Sequence, residues 1–325
     1  MKIFIAGATG ALGMPLARAL VAENHEVIGL ARSPEKGKVL EQARAGVAVA
    51  DVLNASALEQ VLRSVEPDWV VDLLTAIPKN GPTRVSHMKA TNELRVKGTA
   101  NLLRAAIAAG AKRIVGESMI FVYGFGDHGD AEKTEDDTLQ TREAKASLQE
   151  IVDAIRSLED QFLAANKQGL IEAIPLRFGL VYGSDPITER MLHMLKKRLL
   201  PTVSGANGIC SWVHASDVVS GTIAALERGL RGQVYNIVDD DPVSLNDFMT
   251  YAARVAGAKC PFSIPLWLLR LLMPYVAVFS STRLRISNQK AKRELQWEPK
   301  FPNYRIGLQQ VIAEYEHYLG PRTPV

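Results

Sequence analysis

The chain has 325 residues, and 47% of them are hydrophobic, so it can form one large domain, or a large and a smaller one, around a sizeable core. The formal net charge is only +3 and the Lys and Arg residues are spread along the chain, which argues against nucleic acid as a partner. The two cysteines, Cys210 and Cys260, have no Cys or His neighbour at metal-ligand spacing, so we expect neither a disulfide framework nor a metal site.

The N-terminus runs from Met1 directly into an apolar run and lacks the features of a secretory signal, so we expect a cytoplasmic protein. A later segment, residues 264–279, is strongly apolar, but Pro265, Arg270 and Pro274 interrupt it. A spanning helix needs about 20 mostly apolar residues. We therefore predict no transmembrane span, and favour a buried or pocket-lining helix over membrane-surface contact.

The first half of the chain alternates short, β-rich apolar runs with longer stretches of helical spacing. This alternation is typical of βαβ units that form a parallel sheet. The predicted strands are 2–7, 26–31, 46–51, 69–75, 113–118 and 171–177, with a seventh at 233–238 that returns to the sheet. The polar stretch at 127–145 is predicted to be a mobile surface loop.

These elements predict an α/β fold, a Rossmann doubly wound parallel sheet with a smaller C-terminal substrate-binding domain. We expect residues 1–180 plus about 208–238 to form the nucleotide-binding domain. Residues from about 181 to 207, plus 239–325, are expected to form the smaller domain, which closes over the nucleotide site.

A glycine-rich turn, GATGALG, lies between the first predicted strand and the first predicted helix. Phosphates bind where backbone N–H groups at a helix N-terminus are exposed, and a side chain in the turn would block that approach. Gly7, Gly10 and Gly13 meet this requirement in a strand, turn and helix context. The other residues of the turn that we expect to contact the cofactor are Thr9, Ala11 and Leu12.

The end of the second strand indicates which dinucleotide binds. An NAD site usually has an Asp or Glu there, whereas an Arg accommodates the 2′-phosphate of NADP. This chain has Ala31 followed by Arg32, which favours NADP, although NAD stays possible. After the third strand, Asp51 and Val52 stand where an adenine ring would lie, with a turn or helix-cap role as the alternative for Asp51.

Several further segments, together with the glycine turn, resemble the short-chain dehydrogenase/reductase superfamily, in its extended branch of epimerases, dehydratases and reductases. The resemblance covers nearly the whole chain and implies an NAD(P)-dependent enzyme. It also implies a possible homodimer through helices near 86–109 and 148–166. The segments are GTANLLRAAIAAGAKRIV (98–115), ESMIFVYG (117–124), PLRFGLVYG (175–183), WVHASDV (212–218) and YNIVDDDPVS (235–244).

In that family a Tyr and a Lys four residues later on one helix carry the chemistry, because the Lys lowers the pKa of the phenol and holds the ribose. None of the eight tyrosines of this chain has a Lys four residues later. The helix that should carry the pair contains Glu159 and precedes the LRFGLVYG strand, and it has Ile151 and Ile155 at the expected places. The chain therefore resembles an atypical subgroup of this family, which lacks the Tyr and Lys pair.

Three other residues are candidates for catalysis. Ser118 ends the fifth strand and Tyr123 lies five residues later, so both are expected near the nicotinamide; the alternatives are a satisfied loop hydroxyl and a pocket-wall aromatic. An unassisted phenol keeps a pKa of about 10. His214 can act as an acid or base near neutral pH, with a core or capping role as the alternative.

Three residues are candidates for binding. Arg177 can pair with an anionic substrate group or with a neighbouring carboxylate, and Tyr182 can contact cofactor or substrate. Lys79 can reach the nicotinamide ribose and replace the missing Lys.

We expect an NADP-preferring oxidoreductase that acts on a carbonyl or hydroxyl of a small molecule, either a nucleotide sugar or a less polar metabolite. An epimerase or dehydratase with tightly held cofactor is the alternative among enzymes. A catalytically inert NAD(P)-binding sensor or scaffold is the alternative of another class.

Overall fold

Strands and helices alternate along the first half of the structure, a computed structural model that describes residues 1–140 and 142–319. The strands are β1 (Lys2–Ala6), β2 (Glu26–Ala31), β3 (Gly46–Val49), β4 (Trp69–Asp72), β5 (Arg113–Met119), β6 (Glu172–Phe178), β7 (Leu180–Tyr182), β8 (Thr202–Ser204), β9 (Ile209–Cys210), β10 (Trp212–His214), β11 (Tyr235–Ile237), β12 (Ser263–Pro265) and β13 (Arg283–Leu284).

The α-helices are α1 (Gly13–Ala22), α2 (Pro34–Glu41), α3 (Ala55–Val65), α4 (Lys89–Glu93), α5 (Thr99–Ala108), α6 (Ala146–Lys167), α7 (Pro186–Lys196), α8 (Ala215–Arg228), α9 (Leu245–Val255), α10 (Leu266–Leu272), α11 (Pro274–Ser280), α12 (Gln289–Leu295) and α13 (Tyr304–Leu319). A π-helical segment, Leu94–Gly98, joins α4 to α5.

Seven strands form one parallel sheet in the order β11-β6-β5-β4-β1-β2-β3. The predicted fold class is confirmed, including the return of β11 to the sheet beside β6. Two strands end two or more residues earlier than predicted, β3 at Val49 and β4 at Asp72. Each is followed by a turn in which an Asp side chain accepts a backbone N–H, from Leu53 to Asp51 and from Leu74 to Asp72.

Helices cover both faces of the sheet because its strands are apolar on both sides. On one face, Ile3, Ile5 and Val71 pack with residues of α1 and α8. On the other face, Phe4 and Val70 pack with residues of α3, α5 and α6. The carboxyl ends of β1, β4 and β5 are thereby aligned along one edge of the sheet, where ligands of such folds bind.

The region after β6 adds short parallel strand pairs, β7 with β10, β8 with β12 and β9 with β13. Helices α7, α9 and α13 surround a separate apolar cluster that includes Trp212 and Phe248. The predicted division into two domains stays a prediction, and residues 320–325 lie outside the described residues. Cys210 is buried and Cys260 is exposed, and both are free thiols.

The stretch at 127–145 is not the freely solvated loop that its polarity predicts. Apart from Thr141, which lies outside the described residues, it is attached to the rest of the chain at several points. Asp127 and Lys133 form bridges to β13 and to the residues after it. The Glu143 carboxylate accepts the backbone N–H of Phe125, and the Glu135 carboxylate accepts that of Asn236. Its carboxylates are therefore partly used as backbone acceptors, which a polarity pattern does not reveal.

The apolar segment 264–279 forms two short helices, α10 and α11, because Pro274 begins a new helix after Met273. No helix among residues 1–140 and 142–319 is long and apolar enough to cross a membrane. Leu269 and Tyr275 are buried, but Trp267, Leu271 and Leu272 are exposed. The segment is therefore only partly buried.

Candidate functional site

The glycine turn lies at the carboxyl end of β1 and leads into α1. Gly7 has a φ of +88°, and a Cβ there would lie 2.3 Å from the carbonyl oxygen of Leu73. A Cβ on Gly13 would lie 2.2 Å from the carbonyl oxygen of Gly7. The first turn of α1 has no acidic residue and no side-chain cap. The N–H groups of Met14 and Leu16 donate to the carbonyls of Gly10 and Leu12, and Pro15 has none. The place that fits a pyrophosphate is therefore the turn itself, where Thr9, Gly10 and Ala11 are exposed and Leu12 is half-buried.

The other predicted cofactor residues lie at two places. Arg32 is exposed directly after β2, and Asp51 and Val52 follow β3, the neighbouring strand. Lys79 is exposed in an open depression that also contains residues of α7 and Tyr315 of α13. The binding roles of these residues stay predictions.

Ser118 and Tyr123 belong to one buried hydrogen-bond network centred on Glu159 and Arg177. Ser118 Oγ donates to Glu159 Oε1 over 2.5 Å, and Arg177 donates through Nε and Nη2 to the two oxygens of the same carboxylate over 2.9 and 2.7 Å. Arg177 Nη1 also donates to the Tyr123 hydroxyl over 2.8 Å. All four side chains are buried. The network joins β5, β6 and α6, so each group has a structural partner.

The Tyr123 hydroxyl is held on two further sides. It lies 2.8 Å from the carbonyl oxygen of Thr134 and 3.1 Å from Oδ1 of Asn236. Burial raises the pKa of Tyr123 to about 12, although the Arg177 charge opposes this. The phenol is therefore a weak proton donor, and its predicted catalytic role stays untested.

His214 and Tyr182 lie together in the aromatic cluster near α13. His214 Nδ1 accepts the backbone N–H of Ser216 over 3.2 Å and so caps α8. Its ring centroid lies 4.1 Å from that of Phe301 and 5.3 Å from that of Tyr182. Burial lowers the pKa of His214 to about 4 and raises the pKa of Tyr182. The geometry therefore corresponds to the capping alternative for His214 and to a core position for Tyr182.

Ile151 and Ile155 are both buried, in an apolar cluster with Leu148 and Tyr275. The π segment Leu94–Gly98 packs against this helix, α6. Packing therefore accounts for both isoleucines.

A second polar pair, which the sequence analysis missed, lies at the carboxyl ends of β4 and β5. Arg95, in the π segment, is 2% exposed, and its Nη2 lies 3.8 Å from Oε1 of Glu117. Its Nε and Nη2 are buried and have no hydrogen-bond partner among residues 1–140 and 142–319. A π segment inside a helix often marks a functional site. Arg95 is therefore a buried cation with donors to spare.

Two carboxylates surround this cation. Burial raises the pKa of Glu117 to about 7, with the Arg95 charge opposing the shift. Burial also raises the pKa of Asp72 to about 6, and its Oδ2 accepts from Thr99 Oγ1 over 2.8 Å. Glu117 thus changes its charge near neutral pH, as a group that exchanges protons must.

A sequence signal for this site exists. Thr91, Arg95 and Thr99 are spaced four residues apart, so polar side chains occupy one helix face, and all three are buried. Glu117 likewise is a charged residue within the buried run of β5, RIVGESM. The signal is thus the presence of polar residues at positions that the hydrophobic periodicity assigns to the core.

A glycine turn at the carboxyl edge of a doubly wound parallel sheet, with a titratable group near the end of β5, is the arrangement of a dinucleotide-dependent enzyme. Residues 3–238 match the model of the NAD dependent epimerase/dehydratase family. The chain belongs to this family, and it is an oxidoreductase-like enzyme.

Two curated relatives match most of the chain. A 3-diazoavenalumate denitrifying reductase from Streptomyces sp is 31% identical over 313 residues, which cover 95% of this chain and 99% of that protein. A 4-hydroxy-2-methyl-3-oxo-4-farnesyl-3,4-dihydroquinoline-1-oxide ketoreductase from Stigmatella aurantiaca is 26% identical, with 91% of each chain covered.

Solved structures of the same fold include two enzymes of sugar nucleotides. The UDP-glucose 4-epimerase from Thermotoga maritima, with UDP-glucose, has a TM-score of 0.81 at 19% identity and covers 98% of this chain and 100% of its own. The dTDP-glucose 4,6-dehydratase from Bacillus anthracis, in complex with NAD, has a TM-score of 0.77 at 19% identity, with 98% and 97% covered. At this identity the likeness shows the fold.

Proposed function

We propose that the protein is an NAD(P)-dependent reductase, with NADP(H) preferred, that transfers hydride to an electron-poor small molecule. The observation that carries this proposal is the state of the predicted acids and bases. Ser118 and Tyr123 are each buried and bonded to a protein partner, so neither is free to act as the family's phenol does. His214 caps α8 through Nδ1, and because burial lowers its pKa to about 4 it is a weak base. A reaction that needs little or no proton transfer fits such a site best.

The chain's own residues would hold the cofactor as follows. The N–H groups of the turn around Gly10 would bind the pyrophosphate, and Arg32 would bind the 2′-phosphate of NADP. When bound, the cofactor supplies the hydride. We therefore expect NADPH to bind more tightly than NADH.

A diazo group is the acceptor that we favour. The Streptomyces relative is a denitrifying reductase of 3-diazoavenalumate, and it matches nearly the full length of both chains. An aryl diazonium cation that accepts a hydride and loses N2 gives a neutral arene. Charge and atoms balance in this step without a proton, so no Tyr and Lys pair is required.

A ketone is the second candidate acceptor, and Glu117 favours it. Reduction of a ketone to an alcohol consumes one hydride and one proton, and the Stigmatella relative is a ketoreductase. Glu117, with its pKa raised to about 7 by burial, is half protonated at neutral pH and can supply that proton. This candidate predicts a rate that falls as the pH rises through the pKa of Glu117.

The test is turnover with two substrate panels. Oxidation of NADPH and of NADH would be followed by absorbance with aryl diazonium salts and with aromatic and aliphatic ketones, and products would be identified by mass spectrometry. We expect the diazonium salts to yield the arene and N2 with NADPH preferred. A protein that binds NADPH but oxidises it with neither panel would contradict the proposal and favour the inert sensor or scaffold.

A further inference from the structure

We infer that Arg95, together with Glu117, holds the ribose hydroxyls on the nicotinamide side of the bound cofactor. This is the task that the resemblance assigns to the absent Lys. The inference rests on the proposed use of a nicotinamide cofactor and adds a binding site for one part of it. No sequence motif pointed to either residue.

The free donors of Arg95 point to a ligand with two oxygens. Nε and Nη2 lie on one edge of the planar guanidinium, so their N–H bonds are directed to the same side. Both atoms are buried, without a hydrogen-bond partner in the part of the chain that the structure describes. The 3.8 Å between Nη2 and Glu117 Oε1 is an ion-pair distance and too long for a hydrogen bond. A buried charged group left in this state costs stability, so a ligand that completes it gains affinity.

The charges around Arg95 select a neutral ligand. Glu117 lies beside the guanidinium, and Asp72 is near enough for the Arg95 charge to affect its pKa. A carboxylate or phosphate in this space would be repelled by these two acids. A pair of hydroxyls can accept from Nε and Nη2 and donate to Glu117, so a vicinal diol satisfies both partners.

The position of the pair agrees with a ribose. Thr91 Oγ1 accepts the backbone N–H of Ala76, and Thr99 donates to Asp72, so this helix face covers the carboxyl end of β4. Leu73 follows β4 and lies against Gly7 of the phosphate turn. A dinucleotide whose pyrophosphate sits at that turn extends along the carboxyl edge of the sheet toward β5, which ends beyond Glu117.

Tyr275 closes the space from the other side. It lies on α11, and its backbone N–H donates to the carbonyl of Thr83. Burial raises the pKa of Tyr275, and the nearby Arg95 charge opposes this shift. Arg95 and Glu117 are therefore near α11 as well as the carboxyl edge of the sheet.

The test compares three ligands by calorimetry in the absence of substrate: NADPH, the fragment that ends at the second ribose (2′-phospho-ADP-ribose) and the fragment that lacks this ribose (2′-phospho-ADP). Arg95→Met removes the fork, Arg95→Lys keeps only the charge, and Arg104→Met is the control on an exposed residue of α5. We expect Arg95→Met to weaken the first two ligands about tenfold or more and the third not at all. Arg95→Lys should lie between.

An equal loss for all three ligands, or no loss for any, would overturn the inference. An equal loss for all three ligands would mean that Arg95 has a structural role. No loss for any ligand would mean that the free donors of Arg95 contact the substrate and not the cofactor. Circular dichroism and urea unfolding of each variant separate a folding defect from a binding defect. Because no turnover is measured, the inference can hold even if the proposed reductase activity fails.

A second inference rests on a different observation, an exposed apolar ridge. We define the ridge as Leu199, Phe262, Trp267, Leu271 and Leu272, which are 58%, 46%, 67%, 75% and 57% exposed. These residues lie at one edge, because β8 pairs with β12 in parallel and α10 follows directly. Trp267 and Leu271 are four residues apart and share one face of α10.

The charged residues of the two stretches that supply the ridge are all basic. No Asp or Glu occurs in residues 190–216 or 248–293, the two stretches that supply it. Lys197, Arg198, Lys259 and Arg270 are exposed there. Apolar side chains with a Trp, flanked by basic residues, are typical of a surface that lies on anionic lipid. We propose that this ridge docks the protein on an anionic membrane surface.

The test is sedimentation of the full chain with vesicles of phosphatidylcholine alone and of phosphatidylcholine with phosphatidylglycerol. We expect binding to the second kind only, weakened by salt and lost in Trp267→Ser/Leu271→Ser, but kept in Leu230→Ser, where the Leu is exposed elsewhere. Binding to neither vesicle would overturn the proposal, as would equal binding by all variants. Light scattering would also be measured. A parent protein that is a dimer, with ridge variants that are monomers, would contradict membrane docking and show that the ridge contacts a second copy of the chain.

Discussion

At the scale of single residues, Glu159 connects most of the buried polar groups near β5. Its two oxygens accept from Ser118 and twice from Arg177, and the latter in turn donates to Tyr123. Breaking a buried ion pair on one side leaves the other charge uncompensated. The same geometry that removes Ser118 and Tyr123 from the list of free catalysts therefore makes Glu159 important for stability.

Glu159→Gln should lower the free energy of unfolding by about 3–5 kcal/mol, since Arg177 loses its charged partner. Urea denaturation followed by circular dichroism measures this. Glu150→Gln, on an exposed position of the same helix, is the control and should leave the midpoint unchanged. Equal midpoints for the two variants would be inconsistent with a structural network.

His214 should make the protein less stable in acid. Burial lowers its folded pKa to about 4, below the value of about 6.5 in the unfolded chain, so the unfolded state binds more protons between these values. The stability that His214 contributes is therefore complete above pH 6.5 and is lost as the pH falls toward 4, by up to about 3 kcal/mol.

The matched variant is His214→Asn, whose side chain can still accept the Ser216 N–H at the start of α8. Urea midpoints measured from pH 7 down to 4 should fall less steeply in this variant than in the parent. Identical slopes would show that His214 is not the group that titrates.

At the scale of elements, the sequence predicted the sheet better than the site. Alternating apolar runs located β1, β2, β5, β6 and β11 to within about two residues, because burial on both faces demands such runs. The π segment and the anchoring of residues 127–145 depend on tertiary contacts, which no local pattern contains. For Arg95 the sequence contains part of the signal, since Thr91, Arg95 and Thr99 share one helix face. The strand ends that this face covers depend on tertiary contacts and are not visible in the sequence.

The turn before α1 has no room for a side chain at Gly13. Gly13→Ala should abolish measurable dinucleotide binding and lower stability, because the new Cβ would meet the Gly7 carbonyl at 2.2 Å. Fluorescence titration with NADPH measures this. Gly46→Ala, where the nearest atom would be at 3.4 Å, is the control. Unchanged affinity in Gly13→Ala would place the pyrophosphate elsewhere.

At the scale of the whole molecule, cofactor binding should stabilise the folded chain by mass action. A ligand at about 100 times its Kd adds about 2.7 kcal/mol to the free energy of unfolding. At equal concentrations we expect NADPH to raise Tm more than NADH. Arg32→Ala should remove this difference, and scanning fluorimetry would measure it. A larger rise with NADH in the parent would reverse the predicted preference.

Two whole-molecule expectations stay predictions: the division into a nucleotide domain and a smaller domain, and a homodimer through the helices near 86–109 and 148–166. Both concern how surfaces meet, and the composition of a surface seldom identifies its partner.

The two free thiols differ sharply in their surroundings. Burial raises the pKa of Cys210 to about 12, whereas Cys260 is exposed and lies two residues before Phe262 of the ridge. A thiol-reactive dye should therefore modify the native protein at Cys260 alone. The unmutated chain thus offers a single attachment point for a polarity-sensitive reporter beside the surface whose lipid contact is in question.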